Sequence, residues 1–267
     1  MLKELAELFN IKNNIAVVTG AASGIGQSIA YVFAALGGRV VAADINEDGL
    51  KVTVNEICRE GGTAESFVSN ITNVEDVRKL RDYTLEKFGR IDALYIVPGT
   101  SVRKSIENYL YEDFDKVVNL NLKGTFIVLK EFIPALKRNT DGGSIVLISS
   151  IRHLVVEPGH SVYAATKAGV VQLAKTAAAE LGKYNIRVNA IAPGIVDTQM
   201  SKHIKENKEW YEAYLNKTAL KRWASPTDIA TVAVFLGSKA ASYITGTVIY
   251  VDGGWTAIDG RFEPKVL

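Results

Sequence analysis

The chain has 267 residues, room for one large domain or two small ones, and its 48% hydrophobic and 22% charged residues exclude a disordered or collagen-like protein. Thirty-one Lys and Arg against 29 Asp and Glu leave a net charge of +2, too balanced for the concentrated basic footprint of a nucleic-acid binder. Cys58, the only cysteine, excludes an internal disulfide, and His153, His160 and His203 lack the spacing and thiolate partners of a zinc site, so no metal is expected.

At the N-terminus, Glu4 and Glu7 interrupt the apolar run that a signal peptide needs. Leu2, Leu5, Leu8 and Phe9 recur instead at helical spacing, which predicts a short helix docked on the body. No stretch reaches the roughly 18–20 apolar residues of a membrane span, so a cytoplasmic protein is expected, with no membrane partner. Residues 15–19 then read as a buried strand, 25–36 as a helix closed by Gly37 and Gly38, and 39–43 as a second strand. A helix over 47–60 ends at Gly61 and Gly62, Phe67 and Val68 mark a third strand, and 74–88 is a helix ended by Gly89. Residues 91–97 form a fourth strand stopped by Pro98 and Gly99. A long helix over 111–138 leads to a strand over 144–149, a helix over 161–183, and a strand over 186–191 broken by Pro193 and Gly194. A helix over 226–236 and a strand over 247–251 complete the series.

Apolar strands separated by helices imply a parallel sheet covered on both faces. The right-handed crossover rule leaves an α/β, Rossmann-type doubly wound sheet of about seven strands as the simplest architecture. Without repeats or linkers, residues 1–267 read as a single domain, with 198–225 an insertion within it. Trp210, Tyr211, Tyr214 and Trp223 in that insertion predict either a lid over a pocket or a satellite apolar cluster.

Two local patterns point to chemistry. Gly20, Ser23, Gly24, Ile25 and Gly26 follow the first strand and open the first helix, where glycines let the backbone approach a pyrophosphate and free N–H groups receive its charge. Asp44 ends the second strand 18 residues beyond Gly26; it either takes the ribose hydroxyls of a dinucleotide or caps the next helix. Tyr163 and Lys167 form an i,i+4 pair facing one way on a helix. A free tyrosine has a pKa near 10, and a neighbouring ammonium together with a nicotinamide cation would lower it into the range of a useful acid–base group. Ser150 ends the fifth strand, where open α/β sheets place ligands, and its hydroxyl can hold a substrate oxygen beside Tyr163.

With these motifs, Asn121 before Gly124, and Asn189 through Pro193 and Gly194, the sequence resembles the short-chain dehydrogenase/reductase family over essentially its whole length. The resemblance implies that Tyr163 is the general acid/base, that Lys167 lowers its pKa and holds the nicotinamide ribose, and that Ser150 orients the substrate. It implies that Asn121 kinks its helix and supports a water chain to the lysine. It assigns the cofactor, besides the glycine motif, Tyr163 and Lys167, to Asp44, Ile45, Asn70, Ile71 and Gly99, with Pro193, Gly194, Val196 and Thr198 around the nicotinamide. Two departures stand out: Ile96, Val97 and Pro98 precede Gly99 where the family usually has Asn-Asn-Ala, and Asn70 replaces a common Asp, its amide oxygen able to accept from the adenine amine.

The expected protein is an NAD-dependent oxidoreductase of a secondary alcohol (a sugar, polyol or hydroxy acid). A 3-oxoacyl thioester reductase and a catalytically silent dinucleotide-binding scaffold or redox sensor are the alternatives. Ser150, Arg152, His153 and Tyr163 are the expected substrate contacts, with Glu157, His160 and residues 198–225 as further pocket candidates. Helices at 105–138 and 161–183 and the segment from Tyr250 to Gly254 resemble the family's tetramer contacts, so a homotetramer (or homodimer) is expected.

Overall fold

In a computed structural model, which describes residues 1–258, strands β1 (Ile15–Thr19), β2 (Arg39–Asp44), β3 (Thr63–Val68), β4 (Ala93–Ile96), β5 (Gly143–Ile148), β6 (Ile186–Pro193) and β7 (Val248–Val251) form one sheet. Their order is β3-β2-β1-β4-β5-β6-β7 and every pairing is parallel. The helices are α1 (Leu2–Glu7), α2 (Gly24–Ala35), α3 (Glu47–Arg59), α4 (Val74–Phe88), α5 (Tyr111–Val118), α6 (Thr125–Leu136), α7 (Ser161–Leu181), α8 (Lys202–Lys205), α9 (Lys208–Lys217) and α10 (Pro226–Gly237).

Side chains of a strand alternate between the faces of the sheet, so a continuous apolar run needs cover on both. Ala16, Val18, Tyr95 and Val146 enter one core with Ile29 and Phe33 of α2, Leu50 of α3 and Val234 of α10. Val17, Leu94, Ile96 and Ile145 enter the other with Leu80 of α4, Phe132 of α6 and Val170 of α7. Short polar side chains start the covering helices: Asn46 accepts from the Gly49 amide, Asn73 from those of Glu75 and Asp76, and Ser225 forms a capping box with Asp228 ahead of α10. From β1 the chain winds outward to β2 and β3, then crosses back to β4. The connections leaving β1 and β4 therefore diverge and leave a crevice at the carboxyl ends of the strands.

Four sequence expectations are corrected here. β3 is six residues long, because an edge strand covered on one face alternates and its Glu65 and Ser66 hide it from an apolar reading. The long helix is two, α5 and α6, joined through a wide π turn at Asn119–Gly124. Pro193 does not break β6 but ends it, paired with Val251. α1 forms but does not dock: none of its residues is buried, and Leu2 and Leu5 stay 77% and 53% exposed. Only the end of that segment is attached, through the Leu8 carbonyl to the Ala240 amide and Phe9 beside Phe235. The last nine residues of the expected single domain, 259–267, lie outside the described residues.

A close backbone approach lies where β1 turns into α2. A Cβ on Gly26 would stand 2.1 Å from the Gly20 carbonyl oxygen, whereas one on Gly182, past the end of α7, would meet nothing within 4 Å. Gly26→Ala is expected to lower unfolding free energy by about 1–3 kcal/mol in urea titrations. Gly182→Ala is expected to leave it unchanged or raise it by up to about 1 kcal/mol.

Candidate active site

A cavity of about 680 Å³ runs along the crevice from the β1–α2 turn, past the ends of β4 and β5, to the segment after β6. Its first end is built by backbone. Gly20 turns at φ +72°, and a Cβ there would lie 2.7 Å from the Val97 carbonyl oxygen, so the loops after β1 and β4 touch only because Gly20 has no side chain. Ser23 precedes α2 without capping it, which leaves the first amides of the helix to face the cavity. Asp44 is anchored beside them, its carboxylate accepting from the Ala22 amide at 3.2 Å and the Asn46 amide at 3.0 Å. The cap of α3 is Asn46, which removes the capping alternative for Asp44.

The middle of the cavity holds a buried ammonium. Lys167 is 2% exposed, and its Nζ donates to the Ile148 carbonyl at 2.9 Å and the Pro98 carbonyl at 3.2 Å. An ammonium has three donors, so one remains, and Nζ lies 5.7 Å from the centroid of the Tyr163 ring. Burial pushes the Lys167 pKa down to about 8, which leaves the side chain mainly charged at neutral pH. Burial pushes the Tyr163 phenol up, while the Ser150 hydroxyl and the charge of Arg152 pull it down. Ser150 also accepts from the Arg152 amide at 3.1 Å, which starts a single 3-10 turn and brings Arg152 back over the cavity.

The far end is a charged wall backed by aromatic rings. Glu157 Oε1 accepts from Arg103 Nη1 at 2.7 Å and from the Tyr214 hydroxyl, and its Oε2 lies 2.6 Å from Arg152 Nη2 and 3.5 Å from His160 Nδ1. Arg103 stacks on Trp210 and Arg152 on Trp255, 4.6 and 5.3 Å from the ring centroids. Burial disfavours ionised Glu157, yet hydrogen bonds with His160, Arg103 and Tyr214 and the charge of Arg152 outweigh it and hold the carboxyl well below the usual range. Residues 198–225 form α8, α9 and an apolar cluster of Ile204, Tyr214 and Trp223 with Trp210 and Trp255. Met200, His203, Ile204 and Tyr214 of the same segment also line the cavity.

The family model described as enoyl-(acyl carrier protein) reductase matches residues 20–256. The 3-oxoacyl-[acyl-carrier-protein] reductase FabG of Thermotoga maritima is 38% identical over 91% of this chain and 98% of its own. The chain is a short-chain dehydrogenase/reductase. D-Threitol dehydrogenase of Mycolicibacterium smegmatis is 34% identical over 93% of this chain and 95% of its own. A solved structure provisionally described as an NAD(P)-dependent gluconate 5-dehydrogenase of Beutenbergia cavernae, with NADP bound at low occupancy, superposes with a TM-score of 0.89 at 34% identity, covering 94% of this chain and 99% of that one.

In this short-chain dehydrogenase/reductase the cavity brings together Gly20, Ser23, Gly24, Ile25, Gly26, Asp44, Ile45, Asn70, Ile71, Gly99, Ser150, Arg152, Tyr163, Lys167, Pro193, Gly194, Val196 and Thr198. Three expected residues behave differently. His153 is not among the lining; its Nε2 lies 3.0 Å from the Tyr250 hydroxyl and the two rings stack away from the cavity. Asn121 is fully buried and not among the lining, its carboxamide exchanging two 2.9 Å hydrogen bonds with the Thr100 backbone and donating to Thr166. The Asn70 oxygen is taken by the amide and hydroxyl of Thr72, so it does not offer an adenine amine the free acceptor expected of it. The unusual Ile96-Val97-Pro98 stretch is held by other bonds, the Val97 amide to the Thr19 hydroxyl and the Pro98 carbonyl to Lys167. The sequence reading missed Arg103 and Trp255, whereas Tyr214 lies in the insertion it singled out. Only the position of Arg103, just past a strand's carboxyl end, signalled it. Among the described residues no cluster could hold a metal ion, and no helix is long and apolar enough to cross a membrane.

Glu157 also gives a pH test. As pH falls, the unfolded chain takes up the proton near the ordinary carboxyl value of 4.5 and the folded chain only lower. The stabilisation is thus complete above that value and is lost as pH falls below it. Glu157→Gln is expected to cost about 2 kcal/mol at pH 7, roughly 4–8 °C in Tm for a chain of this size, with the gap closing toward pH 3.5 in thermal melts.

Proposed function

We propose that this protein is an NAD-linked dehydrogenase interconverting a secondary alcohol of the sugar, polyol or hydroxy-acid kind with its carbonyl. The carrying observation is a single cavity with glycine-built backbone and Asp44 at one end and Tyr163, Ser150 and Lys167 farther along. The fit to a dinucleotide is geometric. Side chains on Gly20 or Gly26 would collide with the backbone that shapes the cradle, and the uncapped start of α2 supplies donors for a pyrophosphate. When bound, the nicotinamide supplies hydride transfer, the chemistry no side chain here can perform.

The protein's own part is positioning and proton transfer. Ser150 and Tyr163 bind the reacting oxygen, and Tyr163 takes its proton on oxidation or returns it on reduction. Lys167, fixed on two strand-end carbonyls, turns its remaining donor and charge to the same space. Asn121 ties the Thr100 backbone behind it as a positioning residue. NAD is favoured over NADP because the cavity lining around Asp44, which is Ser23, Ile45, Ser69, Asn70 and Ile71, carries no cation for a 2′-phosphate. A carboxylate about 4 Å from that phosphate repels it by about 1 kcal/mol per charge even in water, whereas it accepts hydrogen bonds from ribose hydroxyls.

A thioester reductase is favoured by the 38% identity to the Thermotoga maritima protein. Against it stands the ionic wall of Arg103, Arg152 and Glu157, where an acyl chain would forfeit about 0.8 kcal/mol for each methylene that stays unburied in apolar surroundings. The exposed Leu110, Tyr111, Phe114 and Phe126 on and beside α5 and α6 support assembly into a homotetramer or homodimer.

A panel of alcohols and ketones, run with both dinucleotides, tests the reading. Tyr163→Phe is expected to cut turnover by about 10²–10⁴-fold with dinucleotide binding retained, and near-normal turnover in that variant would overturn the mechanism. The unmodified protein is expected to prefer NAD by at least about tenfold in kcat/KM, and Asp44→Ala to narrow that margin. Equal or better use of NADP by the unmodified protein would remove Asp44 from the ribose role.

A further inference from the structure

The charged wall has a feature that packing does not explain. Arg152 is 10% exposed, and its one ion-pair partner is Glu157, whose Oε2 lies 2.6 Å from Nη2. Among the described residues the other side chain against it is Trp255, its ring centroid 5.3 Å from Cζ. A guanidinium offers five N–H donors in a rigid planar fork, and a single carboxylate oxygen beside Nη2 leaves most of them without a protein partner. Arg103 differs: it is bonded to Glu157, and its unbonded Nε and Nη2 are closed off from solvent. No nitrogen of Arg152 is sealed in that way, and the residue lines the cavity two positions from Ser150.

The surroundings add a field. Arg103, Arg152 and Lys167 face a single carboxylate, Glu157, at this end of the cavity, and the neighbouring histidines His160 and His203 add no negative charge. An anion is thus attracted where a neutral polyol gains nothing from charge. The Trp255 ring lies beside the guanidinium, 5.3 Å from its Cζ, and a planar fork matches the two oxygens of a carboxylate.

From this we infer that the substrate is an alcohol bearing a carboxylate, and that Arg152 is the residue that receives it. The inference rests on the alcohol–carbonyl reading above and narrows it to hydroxy acids. Arg152 anchors the acid group while Ser150 and Tyr163, also on the cavity wall, engage the hydroxyl to be oxidised. Glu157 then serves to aim both arginines; it is itself no ligand for an acid.

Binding and turnover are measured separately. Protein saturated with NADH or NADPH, which blocks oxidation, is titrated calorimetrically with lactate, 3-hydroxybutyrate and gluconate, each against its neutral counterpart: propane-1,2-diol, butane-1,3-diol and sorbitol. At least one acid is expected to bind about tenfold or more tightly than its counterpart. Arg152→Gln is expected to erase that margin and Arg152→Lys, which keeps the charge but not the fork, to restore part of it. Thermal melts check that both variants fold, with Arg103 still paired to Glu157. Neutral compounds binding as well as the acids, a margin that survives Arg152→Gln, or tighter binding of glycerol 3-phosphate than of any acid would each overturn the inference. Acid binding that depends on Arg152 without oxidation by either dinucleotide would support this anchor while sinking the proposed reaction. Oxidation of neutral alcohols with no acid margin would do the reverse.

Discussion

A positive charge held almost entirely out of water organises this site. Lys167 survives burial because two main-chain carbonyls, one ending β5 and one in the loop after β4, point at its Nζ. That arrangement ties α7 to the mouth of the crevice, so Tyr163, one turn earlier on the same helix, has a fixed place relative to both strands. Ser149 adds a second tie, its hydroxyl donating to the Lys167 carbonyl at 2.8 Å. The serine next to it, Ser150, inherits its position from that bond and from β5 itself.

The two ends of the cavity solve opposite electrostatic problems by different means. At the β1–α2 turn, peptide dipoles and absent side chains make room for negative charge, and the carboxylate of Asp44 limits how much. At the far end long side chains do the work, and Glu157 keeps two guanidinium groups close without letting them repel each other apart. The rings of Trp210 and Trp255 lie 4.6 and 5.3 Å from the two guanidinium carbons, within range of a cation–π attraction.

What the sequence could reveal follows from how local each device is. The glycine turn, Asp44, and the Tyr163–Lys167 pair lie within single elements, so their spacing alone exposes them. The β strands are legible because both faces are apolar, and β3 is the exception for the physical reason that one face meets solvent. Arg103, Glu157, Tyr214 and Trp255 come from four separate stretches and meet only through the folded loops, which no spacing encodes. Arg152 and His153 are adjacent, yet the 3-10 turn after Ser150 sends one to the cavity and the other to Tyr250. The stripe of Leu2, Leu5, Leu8 and Phe9 misleads because the six-residue helix buries none of its side chains, and only Leu8 and Phe9, just past its end, reach the body.

The π turn at Asn119–Gly124 amounts to an extra residue threaded into an otherwise continuous α5–α6 rod. Each residue of an α-helix advances the azimuth by about 100°. Closing the turn into regular helix would therefore swing α6 by about that angle relative to α5, carrying Phe132 and Leu136 off the sheet. The Thr125 hydroxyl, bonded at 2.6 Å to the Asn121 carbonyl, occupies one lone pair of an acceptor in the widened turn. The length of this loop of helix is thus under two simultaneous demands, one from the core and one from the amide that grips Thr100. Drift by one-residue insertion or deletion, harmless in most surface connections, is closed to this stretch of the chain.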